Sequence, residues 1–112
     1  VSICHCTECK TLSGTAFRVV VFTPADKFRL NRGGPKIYVK VAESGNRRAQ
    51  AFCPDCGSPL YATSADENPT AYGLRVGTIR QRDQLPPRRQ IWHRSAVSWF
   101  PDLEGLVTKE KT

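Results

Sequence analysis

Cys4-His5-Cys6-Thr7-Glu8-Cys9 and Cys53-Pro54-Asp55-Cys56-Gly57 hold all five cysteines of the chain, and their use decides what fold the rest must build. Each stretch contains a Cys-x-x-Cys pair, Cys6 with Cys9 and Cys53 with Cys56. Such a turn brings two sulfurs near enough to share one ion, and its backbone N–H groups can spread the thiolate charge. Gly57 permits the tight reversal such a knuckle needs, and Pro54 stiffens it. Five is an odd number, so a disulfide framework would leave one thiol over. Val1-Ser2-Ile3-Cys4 has neither the basic start nor the apolar stretch of a signal peptide, which predicts a cytosolic chain with reduced thiols. Metal ligation is the expected use of the cysteines, with zinc the default ion for a thiolate-rich site.

Two partitions satisfy the spacing. A closed zinc ribbon would take Cys6, Cys9, Cys53 and Cys56 and leave Cys4 spare. Alternatively Cys4, Cys6 and Cys9 share one ion whose fourth position stays open, the catalytic type of site.

Outward from the cysteines, the chain reads as short strands broken by turn residues. Arg18 to Phe22, with Val19-Val20-Val21, predicts a buried strand. In Lys36 to Val41, Ile37, Val39 and Val41 alternate with Lys36, Tyr38 and Lys40, the period of a half-buried strand. Ser44-Gly45-Asn46 predicts a hairpin turn and Arg47 to Phe52 the return strand. Pro59 to Thr63, Tyr72 to Val76 and Gln90 to His93 are further candidates, and Pro24, Pro35, Pro69, Pro86 and Pro87 are expected between strands. Thr7 to Leu12 and Arg82 to Leu85 can each supply a helical turn, and the segment from Val107 onward reads as a polar tail. The expectation is one mainly β, antiparallel domain over residues 1–112 with little helix.

The net charge of +7 arises from 17 basic and 10 acidic residues. The basic residues are scattered, densest at Arg47-Arg48 and Arg88-Arg89, with no interleaved aromatics for base stacking. Nucleic acid is therefore not an expected partner, and no apolar run is long enough for a membrane span. There is no helical zinc-protease motif, nucleophile elbow or phosphate-binding glycine loop.

The residues Cys4-His5-Cys6-Thr7-Glu8-Cys9-Lys10-Thr11-Leu12-Ser13-Gly14-Thr15-Ala16-Phe17 resemble a signature of the glutathione-dependent formaldehyde-activating enzymes and the related centromere protein V domain. Phe52 to Tyr61 resembles their second signature; Leu74 to Thr78, Gln90-Ile91-Trp92 and Ser98-Trp99-Phe100 resemble their tail. The resemblance implies a β-rich "tent" of antiparallel sheets, with catalytic zinc on Cys4, Cys6 and Cys9. It also implies a structural zinc on Cys53 and Cys56, completed by an upstream Cys-x-Cys. The sequence begins three residues before Cys4, so the expectation is a domain without that upstream pair and its strand, in which Cys53 with Cys56 cannot close a tetrahedron alone and would stay empty, recruit other ligands or borrow Cys6 and Cys9. An open sheet edge left this way would let two copies pair as a homodimer.

The resemblance implies a carbon–sulfur lyase-type activity in which glutathione, or a similar small thiol, adds to formaldehyde. Lys10 and Arg18, the nearest basic residues in sequence, are expected to offset the thiolate charge and hold the peptide's carboxylates. His5 is expected to point away from the metal and His93 to be a surface or core histidine. Trp92 and Trp99 are expected in the core, or else as pocket walls. The rival readings are a non-catalytic ribbon that binds a partner and a degenerate, inactive scaffold.

Overall fold

A computed structural model describes residues 1–112. Seven strands form one sheet: β1 (Ser2–Cys4), β2 (Arg18–Pro24), β3 (Lys36–Val41), β4 (Arg47–Phe52), β5 (Pro59–Ser64), β6 (Ala71–Arg75) and β7 (Arg89–Ile91). Their order is β3-β4-β5-β6-β2-β1-β7. Every pairing is antiparallel except β1 with β7, which is parallel and departs from the all-antiparallel expectation. The chain is thus mainly β. Its one α-helix, α1 (Thr7–Ser13), follows β1 directly.

Most strand expectations hold, and the departures have physical causes. The strand β1 was not anticipated, because three residues beside a cysteine motif carry no period of their own. It exists because β2 and β7 pair with it on both sides. Pro24 ends β2 rather than lying between strands, and Pro59 opens β5, positions where a missing N–H is tolerated. The strand at Tyr72 stops at Arg75, with Val76 starting a 3₁₀ turn, and β7 stops at Ile91.

The hairpin between β3 and β4 turns at Gly45, whose φ of 91° is left-handed, and Ala42 N–H donates to the Asn46 carbonyl at 2.8 Å. The expected half-buried face of β3 is a correction: Ile37, Val39 and Val41 are exposed, because β3 is the outermost strand and nothing packs over it. Burial is sparse, at 11 of 112 residues, so few apolar contacts hold the fold. On one face Phe28 stacks on Tyr72 at 4.0 Å with Tyr61 edge-on to both. A second cluster joins His5, Phe17 and Phe100, with Phe100 4.8 Å from the His5 ring and 5.1 Å from Phe17. Pairs of this kind contribute about 0.5–1.5 kcal/mol each beyond area burial.

The sheet curls. Glu43 lies in the β3–β4 hairpin at one end of the strand order and Arg94 follows β7 at the other, yet their side chains meet at 3.6 Å. The curl turns one face of the sheet into a concave floor. Gly73 makes that floor close-packed, since a Cβ there would stand 3.1 Å from Val20 Cγ1. No helix is long and apolar enough to cross a membrane.

Candidate metal centre

The thiols of Cys4, Cys6 and Cys9 converge, with all three sulfurs within 4.8 Å of one another. Local structure explains this. Cys4 ends β1 and faces the concave side; Cys6 is the N-cap of α1, its Sγ accepting the Cys9 N–H at 3.4 Å; Cys9 sits in the first turns of that helix. A tetrahedral zinc with bonds of about 2.3 Å would space its sulfurs about 3.8 Å apart, so only small side-chain shifts would seat an ion. The donor set fits a zinc ion, which Cys4, Cys6 and Cys9 would hold.

Cys53 and Cys56 form the expected knuckle, with Gly57 at φ 77° and Gly57 N–H donating to the Cys53 carbonyl at 2.8 Å. They are not part of the three-sulfur cluster. This geometry does not support the four-cysteine ribbon. Cys56 is exposed and 3.1 Å from Ser58 Oγ, which holds its thiol below the ordinary range.

Within the cluster the thiols differ. Hydrogen bonding from Cys9 holds Cys4 below the ordinary thiol value, while the same interaction together with burial pushes Cys9 up. Burial pushes Cys6 up, partly relieved by the Cys9 backbone N–H. Cys4 thus gives up its proton more readily than Cys6 and Cys9, whose protons a metal must displace.

The cluster opens into a cavity of about 320 Å³ on the concave face. Arg18 of β2 and Arg75 of β6 form its floor, and Lys40, Arg48 and Trp92 line its walls. Arg18 bonds back to α1, its Nη2 donating to the Glu8 and Cys9 carbonyls at 3.4 Å, and its charge favours the Cys9 thiolate. Arg75 donates from Nη2 to Gln50 Oε1 at 2.8 Å. Of the two basic residues anticipated near the thiols, Arg18 is there; Lys10 is instead held by the Ser95 carbonyl at 2.6 Å.

His5 points away from the sulfurs, as its place between two inward residues requires. It is fully buried, and its Nε2–H donates to Gln90 Oε1 at 2.8 Å. His93 is exposed beside it, with ring centroids 5.6 Å apart. Neither tryptophan is in the core. Trp99 is exposed, and Trp92 is a half-buried cavity wall with φ 54°, the only non-glycine residue in the left-handed region. Arg75, Gln50 and Arg48 were missed in the sequence. The only hint was their alternation along strands, and which face becomes concave depends on the curl.

The fold and site define a curled β-sheet protein with a three-thiol pocket that could hold a metal ion. A family model described as glutathione-dependent formaldehyde-activating enzyme matches residues 1–95, and the chain belongs to that family. A search of curated proteins returned no match.

Proposed function

We propose that the protein is a zinc-dependent carbon–sulfur lyase-type enzyme that joins glutathione, or a similar small thiol, to formaldehyde as the S-hydroxymethyl adduct. The observation that carries this reading is the convergence of Cys4, Cys6 and Cys9 at the mouth of a cavity with a cationic floor. Family membership supports the same chemistry at the level of the family.

A zinc ion on the three thiolates would favour the thiolate form of an incoming thiol and could polarise a carbonyl oxygen. The protein's own residues do the rest. Three thiolates leave the ion with net negative charge, which Arg18, buried beside Cys9, offsets. The N-cap of α1 fixes Cys6, and the β1–β2 ladder fixes Cys4. Trp92 walls the cavity. In the overall addition the sulfur–carbon bond forms as the carbonyl π bond breaks, and the thiol's proton ends on the aldehyde oxygen. Such a centre needs reduced thiols, which fits the cytosol.

Two measurements test the proposal. X-ray absorption on the zinc-loaded protein should show three sulfurs and one light atom at the ion. Carbon NMR with labelled formaldehyde and glutathione should show adduct forming faster than without protein, with Cys6→Ser abolishing the acceleration. An equal rate with and without protein would remove the enzymatic reading.

A further inference from the structure

The tip of the β3–β4 hairpin borders the thiol cavity. Lys40, Ala42, Ser44 and Asn46 of the hairpin line it, and Trp92 lines it from the opposite end of the strand order. The tip is lightly held. β3 is the outermost strand, Val41 at its end is 61% exposed, and a Cβ on Gly45 would meet nothing within 4 Å. No backbone hydrogen bond joins the hairpin to the chain beyond β7. The polar link between them is the ion pair of Arg94 Nη2 with Glu43 Oε1, at 3.6 Å.

The two partners differ in how firmly they stand. Arg94 belongs to the 3₁₀ turn His93–Ser95, where Ser95 N–H donates to the Trp92 carbonyl at 3.0 Å. The Ser95 carbonyl in turn accepts from Lys10 Nζ of α1 at 2.6 Å. The Arg94 guanidinium lies 5.0 Å from the centre of the Trp92 ring. Arg94 is thus tied to α1 and to a cavity wall, whereas Glu43 rides on a hairpin whose outer strand nothing covers. Both side chains of the pair are exposed, where water and salt compete with it and its hold is weak. An interaction of that size keeps a segment in place without locking it.

We propose that the β3–β4 hairpin is a flap on the thiol cavity and that Glu43 and Arg94 are its latch. With the pair made, the hairpin and Trp92 narrow the mouth. With it broken, the hairpin swings away from Trp92 and a ligand enters or leaves. A flap of this kind sets exchange with solvent rather than the chemistry at the sulfurs. The inference holds for any ligand of the cavity and so goes beyond the activity proposed above.

The first test uses the zinc-loaded protein carrying Trp99→Phe, so that Trp92 is its one indole. Acrylamide, an uncharged quencher, should reach Trp92 about two to five times more readily after Glu43→Gln, the scale set by an exposed ion pair. Sodium chloride at about 1 M should raise quenching with the pair intact and leave the variant unchanged. The thiols supply a second reading. Uncharged N-ethylmaleimide with peptide mass spectrometry gives the rates of Cys4, Cys6 and Cys9 in the reduced, metal-free protein, with Cys53 and Cys56 outside the cavity as controls. Glu43→Gln removes a negative charge and Arg94→Gln a positive one, so a field effect on the thiols would change sign between them. A broken latch raises the three cavity rates in both variants, and Glu43→Arg combined with Arg94→Glu restores them. Unchanged quenching in Glu43→Gln overturns the latch. So do opposite changes of the cavity rates in the two single variants, or an acceleration that Cys53 and Cys56 share.

Discussion

Cys4 and Arg18 are direct cross-strand partners in the antiparallel β1–β2 ladder, and both are buried. A metal-type sulfur and a guanidinium thus share one face of the sheet by register alone. The pairing places a fixed cation beside the thiols of the half-closed cavity, where it favours their ionised form.

Zinc affinity should rise with pH. Cys6 and Cys9 hold their protons more tightly than ordinary thiols, so binding must expel the protons of both. Affinity should then change by up to about a hundredfold per pH unit, tenfold for each proton released. Competition with a chromophoric chelator between about pH 6 and about pH 8 reads this. Arg18→Gln should lower the affinity across the whole range, because the Cys9 thiolate loses its cation. A flat profile would contradict the three-thiol assignment.

Metal removal should lower the melting temperature sharply. With 11 of 112 residues buried, the apolar core is thin, whereas structural zinc in small domains contributes about 10–16 kcal/mol of apparent binding energy. Cys4→Ser should lose the ion, while Cys56→Ser, outside the cluster, should retain it. Zinc content by elemental analysis, alongside melting curves with and without chelator, checks both.

Gly73→Ala should cost about 1–3 kcal/mol, the range for overpacking a tight interior. The new Cβ would stand 3.1 Å from Val20 Cγ1, and Val20 is itself buried in the cavity floor. Adding Val20→Ala should recover part of the loss if that contact is the cause, a coupling that a double-mutant cycle in denaturant measures.

Arg75→Met should leave the metal-free protein at least as stable as wild type at neutral pH. The folded value of about 10 lies below the ordinary 12.5, so the fold disfavours the cation and carries that cost at any pH below about 10. The shift corresponds to on the order of 3 kcal/mol, relieved only as pH rises through the folded value. Thermal melts of both metal-free proteins at neutral pH and near pH 11 (roughly one unit above that value) should show the difference narrowing on the alkaline side. A large loss of stability in the variant at neutral pH would show that Arg75 is structural.

Trp92→Gly separates strain from function. A bulky residue at φ 54° carries about 1–3 kcal/mol of backbone strain, which glycine would release. Stability should therefore fall by less than the loss of a tryptophan implies, while thiol affinity weakens because a cavity wall is gone. Denaturant unfolding and titration with 3-mercaptopropionate read the two effects independently.

Much of this was legible from residue order alone. Cys-x-x-Cys spacing, Gly45 and Gly57 at positive φ and the Lys36–Val41 alternation are local signals, set by neighbours within a few residues. The same holds for His5 turning away from the sulfurs. Three things were not local: the pairing that makes Ser2–Cys4 a strand, the exposure of β3, and the face on which Arg75 and Gln50 gather.

By itself the sequence determined a mainly β chain, the knuckle at Cys53 and Cys56, and a thiol-rich first motif. Only the tertiary structure decided that Cys4, Cys6 and Cys9 gather without Cys53 and Cys56, and that Arg18 and Arg75 lie beneath them. The reason is that strand period assigns residues to alternate faces, whereas the curl and register of the whole sheet choose which face becomes the cavity.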